Sequence, residues 1–165
     1  LPGRAAPRYE PADVHELVRR CVTFVAKEAE RRQVALGVHF AAGTMTCEID
    51  VRLIKQVLLN LLKNAMEAMP HGGRVDVTTR GTPDERKPHL VTIEIADTGV
   101  GIPESDLRKV FRPLFSTKAR GAGLGLSFCR QAVEEHGGEI RLNSRGSGRG
   151  TVAVVTLPVR QTTTD

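Results

Sequence analysis

Apolar residues recur along this chain at two spacings, and the changes between them mark out its elements. Val14, Leu17, Val18, Cys21, Phe24 and Val25 fall at helical spacing within residues 11 to 33, which predicts an amphipathic helix. Gly37 closes that region, and the run Val34 to Ala41 predicts a strand. Asp50 is placed to cap a second helix that runs to Met69, where Pro70-His71-Gly72-Gly73 stops it. Val75, Val77 and Thr79 alternate as in a half-buried strand, and Val91, Ile93 and Ile95 alternate again after the polar stretch Gly81 to Pro88, so the two form a hairpin. A long glycine-punctuated stretch, Asp97 to Gly123, follows with one short helix near Ser105 to Val110. Leu124 to Glu135 is a third long helix, closed by Gly137-Gly138, and strands Glu139 to Asn143 and Thr151 to Leu157 flank a glycine-rich turn. Helices and strands are not strictly interleaved. A mixed sheet covered on one face by about three helices therefore fits better than a doubly wound parallel sheet.

The second helix has two unequal sides. At about 100° per residue, Ile54, Val57, Leu58, Leu61, Leu62, Ala65 and Met69 fill one broad arc, and Gln56, Asn60, Lys63, Asn64 and Glu67 the other. Asn60 and Asn64 lie one turn apart and point the same way. Asparagine competes for backbone hydrogen bonds and is poorly suited to a helix interior. Two readings of the pair stand: a solvated polar face, or amide oxygens turned toward a cation and its phosphates. The second suits Mg²⁺, which takes hard oxygen ligands and often binds through one or two protein groups plus substrate phosphates.

Two glycine sites follow. Asp97-Thr98-Gly99-Val100-Gly101 comes directly off a strand, with a carboxylate at the strand end and glycines that let a ligand approach the backbone. An aspartate there would accept from adenine's exocyclic amine and repel guanine's oxygen; alternatively it bonds only to local backbone in a turn. Gly121-Ala122-Gly123-Leu124-Gly125-Leu126 leads into the third long helix, where freed N–H groups and the helix dipole make a phosphate site. No Gly-Lys-Ser/Thr follows, so it is not a Walker A loop, and Leu126 stands where a Rossmann fingerprint needs glycine.

Composition changes this picture little. The 165 residues suit one soluble globular domain, 40% apolar and 26% charged. No apolar run reaches the roughly 20 residues of a membrane span. The opening Leu1 to Pro7 reads as linker, which suggests a fragment of a longer protein. A net charge of +5 suits nucleic acid or a polyphosphate equally, but aromatic residues at 4% leave few stacking platforms for single strands, and no nucleic-acid partner is expected. Cys21, Cys47 and Cys129 form no CxxC pair and read as reduced, buried thiols of a cytoplasmic protein.

Taken together and in order, these segments resemble the GHKL superfamily of ATPases and kinases, and most of all the sensor histidine kinases. Gln56 to Ala65 matches that family's N box, Asp97 to Pro103 its G1 box, Phe111 to Phe115 its F box and Gly121 to Leu126 its G2 box. Gly148-Arg149-Gly150-Thr151 resembles its last glycine element, so the likeness runs from about Pro11 to Leu157. It implies a two-layer α/β sandwich with a mobile ATP lid, a catalytic domain over residues 11–158, a linker remnant at 1–10 and a disordered tail at 159–165. It further implies ATP or ADP with Mg²⁺ as ligands. Asn64, and with it Asn60, would meet the metal and phosphates; Asp97 would bind the adenine amine, assisted by Thr151 through water. Gly99, Gly101 and Ile102 would line the base pocket. Gly121, Ala122, Gly123, Leu124, Gly125 and Leu126 would cradle phosphates, and Lys118 is a candidate γ-phosphate contact. Implied partners are the kinase's own dimerisation and phosphoacceptor domain and, through the full-length protein, a response regulator. No membrane contact by this domain is implied.

Three positions depart from the family pattern. Arg112 stands where the F box more often has an acidic residue, Leu114 where it has phenylalanine, and Glu67 where many members are basic. Asn60 has the opposite significance. Hydrolytic GHKL members have a glutamate there as general base, and an amide cannot take a proton. The phosphoacceptor itself is missing: His15-Glu16 lacks the family's proline, since Arg20 occupies that position, and His15 is expected to lie on a helix surface. Nor does it begin a zinc motif, because Arg19 stands where HExxH needs histidine. His136 is expected to favour a helix C-terminal dipole.

Overall fold

The computed structural model describes residues 5–84, 88–112, 125–144 and 148–162. The chain runs β1 (Glu10–Asp13), α1 (Val14–Arg31), β2 (Val34–His39), β3 (Thr46–Ile49), α2 (Val51–Glu67), β4 (Gly73–Thr82), β5 (Leu90–Asp97), α3 (Glu104–Leu107), α4 (Gly125–Glu135), β6 (Glu139–Ser144) and β7 (Thr151–Pro158). Five strands form one sheet in the order β2-β4-β5-β7-β6, and β1 pairs with β3 separately. The β2–β4 pairing is parallel and the rest antiparallel, so the sheet is mixed as expected.

Period-2 patterning sets which sheet face is buried. Val91, Ile93 and Ile95 of β5 and Ala153, Val155 and Leu157 of β7 point to the same side as Val75 and Val77 of β4, and all are buried. Against them lie Val14 and Val18 of α1, Ile54, Leu58 and Leu62 of α2, and Cys129, Ala132 and Val133 of α4. Burying a side chain the size of Leu or Ile contributes about 1.5–3 kcal/mol, so this layer of contacts dominates the stability of the fold. The opposite sheet face carries the Arg74–Asp76 ion pair, and Gly37 in β2 leaves the space that the pair fills. Gly37 therefore sits inside a strand rather than ending a helix. The first helix stops at Arg31, and Gln33 makes the left-handed turn at φ 60°.

Local capping fixes the helix starts. The Asp13 side chain accepts from the backbone N–H of His15 (2.9 Å) and Glu16 (3.2 Å), so α1 begins at Val14, not residue 11. Asp50 accepts from Leu53 N at 3.2 Å and caps α2 as expected. The β1–β3 pair was not foreseen; it puts Pro11 in a strand and carries the fold past residue 11 toward the start of the chain. Arg8 N donates to Asp50 Oδ2 at 2.9 Å, and the Tyr9 hydroxyl donates to Glu135 O at 2.6 Å. At the other end, Glu48 N donates to Val159 O at 2.8 Å and Gln161 N to Glu48 Oε2 at 2.9 Å. Arg8 and Tyr9 of the segment expected to be linker, and Val159 and Gln161 of the segment expected to be tail, are thus bonded to the domain, and residues 1–4 and 163–165 lie outside the described residues.

His15, expected on a helix surface, and His136, expected to favour a helix C-terminal dipole, are both buried. His15 is 3% exposed, stacked on Phe40 with centroids 4.4 Å apart, and its Nε2 lies 2.8 Å from Thr79 Oγ1. Burial holds its pKa below the usual imidazole value. His136 is fully buried: Asp50 N–H donates to its Nε2 at 3.0 Å, and its Nδ1 lies 2.7 Å from Ala132 O. A donor at Nε2 and an acceptor at Nδ1 require the neutral ring protonated on Nδ1. His136 thus bonds the Ala132 carbonyl in the last turn of α4 and bridges that end of the helix to the start of α2. Phe24, on the expected apolar stripe, is instead 73% exposed. Among the described residues no helix is long and apolar enough to cross a membrane.

Candidate functional site

The helix-covered side of the sheet ends, at the C-terminal end of β5, in a loop that packs onto α2. Asp97 is the last residue of β5 and is half-buried. Its Oδ1 accepts from the backbone N–H of Gly99 at 2.8 Å and of Thr151, the first residue of β7, at 3.2 Å. Those two bonds orient the carboxylate, and among the described residues no donor reaches Oδ2. Burial raises the Asp97 pKa above its ordinary value, while the two N–H groups work the other way.

Glycines let the surrounding backbones come close. A Cβ on Gly99 would sit 2.5 Å from Ala68 O and 2.8 Å from the Ala68 methyl, so the loop lies directly against the end of α2. Val100 N donates to Ala68 O at 3.0 Å and makes that contact a bond. Gly150, at φ 87°, has no room for a side chain because the Asp97 carbonyl occupies it. Gly101 turns the loop at φ 75°, and Ile102 N then donates to Ser144 Oγ at 2.9 Å, which itself donates to Gly150 O at 3.4 Å. Asp97, Gly99, Gly101, Ile102 and Thr151 are thereby held in one braced unit. Ser144 and Ala68 have no part in the sequence reading. Only their long-range partners reveal them.

Helix α2 connects this unit to the second glycine site. Asn60 and Asn64 are both half-buried and lie about 6 Å apart along the axis at 1.5 Å per residue. Asn64 is one turn before Ala68, whose N–H it accepts at 3.1 Å. One turn earlier, Asn60 Nδ2 donates to Gly125 O of α4 at 3.5 Å. Gly125 and Leu126 are the first described residues of α4. Cys129, one turn on, is fully buried, with its thiol directed at Val57 O (3.8 Å) and its pKa pushed up to about 12 by burial. Glu67 pairs with Lys63 at 3.9 Å. Lys118, Gly121, Ala122, Gly123 and Leu124 lie outside the described residues, as does Leu114 and most of the expected lid. Helix α2 thus touches the Gly99–Val100 loop through Ala68 and Gly125 of α4 through Asn60.

Comparison with known proteins agrees with this geometry. Residues 49–161 match the sequence profile of the histidine kinase-, DNA gyrase B- and HSP90-like ATPase family. Sporulation kinase E of Bacillus subtilis (strain 168) is 35% identical over 153 residues, covering 93% of this chain and 20% of that protein. Sensor histidine kinase ZraS of Klebsiella oxytoca is 37% identical over 154 residues, covering 92% of this chain and 32% of that protein. The chain therefore spans a third or less of these relatives. Among solved structures, the catalytic domain of histidine kinase ThkA superposes with a TM-score of 0.83 at 30% identity, covering 93% of this chain and 97% of that one. ThkA in its complex with response regulator protein TrrA superposes with a TM-score of 0.78 at 28% identity, covering 92% of this chain and 42% of that one. The chain belongs to the histidine kinase-, DNA gyrase B- and HSP90-like ATPase family, and within it to the catalytic domains of histidine kinases.

Proposed function

We propose that this domain binds ATP with Mg²⁺ and presents the γ-phosphoryl group to a histidine on a separate dimerisation and phosphoacceptor domain. The observation that carries the reading is that α2 joins both glycine sites, through Ala68 to the Asp97 loop and through Asn60 to the start of α4. Asp97 Oδ2 accepts from the adenine amine, while Gly99 N and Thr151 N hold the carboxylate in place. Gly101 and Ile102 line the base. The first N–H groups of α4, with the preceding residues Gly121 to Leu124, meet phosphate, and Lys118 reaches the γ-phosphate.

The donor set fits a magnesium nucleotide. Among the described residues no cluster of three or more His, Cys, Asp or Glu is available to hold a metal alone. A cation beside α2 must then take most of its ligands from phosphates and water, with Asn64 adding a neutral oxygen, and that is how Mg²⁺ usually binds. When bound, the metal neutralises phosphate charge and helps align the transferring group. No carboxylate stands at position 60 to take a proton from water, so the domain alone should hydrolyse ATP poorly. Transfer to a response regulator follows through the full-length kinase, as the ThkA complex suggests, on the cytoplasmic side where three reduced thiols are stable.

Calorimetry with ATP or ADP, with Mg²⁺ and with chelator, tests the reading. Mg²⁺-dependent binding without appreciable phosphate release is expected. Brisk hydrolysis by the isolated domain would instead mark an ATPase.

A further inference from the structure

Helical turns run on past the end of α3. Val110 N donates to Asp106 O at 3.1 Å and Arg112 N to Lys109 O at 2.9 Å. Leu107, Val110 and Phe111 recur at helical spacing and form the inner side: Leu107 is half-buried, Val110 is 4% exposed, and Phe111 packs against the core. Ser105, Arg108, Lys109 and Arg112 recur at the same spacing on the other side, and all four are exposed. With Glu104 they line one surface groove, roughly 10 Å long at 1.5 Å per residue.

Charge in this groove is out of balance. On the other helices many cations have a carboxylate one turn away: Arg19 and Arg20 pair with Glu16, Arg31 and Arg32 with Glu28, Lys63 with Glu67, and Arg130 with Glu134. Arg108, Lys109 and Arg112 make no ion pair among the described residues, and Glu104 is the one carboxylate lining the groove. Arg108 and Arg112 also stand one turn apart, a spacing at which like charges disfavour the helix. A partner that brings negative charge relieves that repulsion. None of these side chains is buried, so the groove lacks the enclosed, convergent donors of a small-ligand site. An exposed row of cations instead suits matching to carboxylates on another protein, which speeds encounter and selects the partner.

The row leaves directly from the loop that carries Asp97, Gly101 and Ile102, so a protein docked on it stands beside the proposed nucleotide site. Position 112 is also where the family pattern more often has an acid. We infer that Arg108, Lys109 and Arg112 form the docking row for an acidic face of the phosphoacceptor domain, with the sign of the contact at position 112 reversed from the family's usual arrangement. This rests on the proposed phosphotransfer and adds the chemistry of the surface that meets it.

Charge reversal and salt test the row in the full-length kinase. Autophosphorylation from ATP is followed for the wild type, Arg112→Glu, the conservative Arg112→Lys, and the triple variant Arg108→Glu, Lys109→Glu, Arg112→Glu. ADP affinity is measured for each, and thermal melts verify folding. At low ionic strength the triple variant should be slower by about tenfold or more and Arg112→Glu by about threefold, while Arg112→Lys keeps the wild-type rate. At about 0.5 M salt, where exposed charges are screened within a few ångströms, the differences should shrink to about twofold. ADP affinity should stay within about twofold throughout. If the triple variant melts early, Arg112→Glu against Arg112→Lys carries the test. An unchanged rate on charge reversal would overturn the inference. So would a parallel loss of ADP affinity, which would put the row on the nucleotide, or normal autophosphorylation with slowed transfer to the response regulator. Failure of the underlying reading looks different, since the wild-type kinase would then neither bind ATP nor phosphorylate itself.

Discussion

Replacing Asp97 with asparagine changes a single atom's chemistry at the centre of the proposed base pocket. Asparagine keeps an oxygen where Oδ1 accepts from Gly99 N and Thr151 N, so the loop and the start of β7 stay joined. The second oxygen becomes an N–H₂ group, which meets the adenine amine donor to donor. The lost interaction is a hydrogen bond to a charged acceptor, about 1.5–3 kcal/mol. At about 1.4 kcal/mol per decade, ADP should bind about 10- to 150-fold more weakly by calorimetry. Stability should move the other way. Burial raises the folded-state pKa of Asp97 above its unfolded value, so its stabilising contribution is full only below the unfolded pKa and is lost as pH rises through the folded pKa. At neutral pH the carboxylate costs the ligand-free fold free energy, and Asp97→Asn should melt at the same or a higher temperature. For the same reason wild-type affinity should begin to fall on acidification at a higher pH than an ordinary carboxylate would give. Affinity within about threefold of wild type would refute the base contact. Weaker binding with a lower melting temperature would show a damaged loop.

Gly99→Ala tests the bracing of that carboxylate, because the new methyl overlaps Ala68 and should push the loop off α2; nucleotide affinity should fall by about tenfold or more, at an overpacking cost of about 1–3 kcal/mol in urea melts. Cys21, Cys47 and Cys129 are all buried, their thiols pushed up to about 11, 12 and 12, so a disulfide reagent at pH 8 should label none of them in the folded protein and all three after unfolding. His136→Ala strands the Asp50 N–H and opens space beneath Tyr9, and should cost about 2–4 kcal/mol in chemical denaturation while leaving ADP affinity within about twofold, since the contact lies at the far end of α4 from Asn60.

Much of this was legible because it is local. Helix α2 declares itself by period and by Asp50, and its misplaced asparagines are visible without any partner. Asp97 is visible because a strand pattern ends on a carboxylate followed by glycines. What escaped depends on contacts distant in sequence. Glu10 to Asp13 contains a proline and no alternation, and becomes a strand only because β3 lies alongside it. His15 sits in a charged stretch, yet its ring is drawn inward by Thr79, 64 residues away. Phe24 keeps helical register with the core residues but falls at the margin of the stripe. Gln33 takes the left-handed turn that sequence patterns assign to glycine.

The β1–β3 pair has a mechanical consequence. The entering segment is zipped to β3, and the departing segment is bonded to Glu48 of that same four-residue strand. A pull applied between the two segments would load the Arg8 and Tyr9 bonds and then this one short ladder. Tension so applied would peel β1 at a few hydrogen bonds while α2 kept its packing on the sheet.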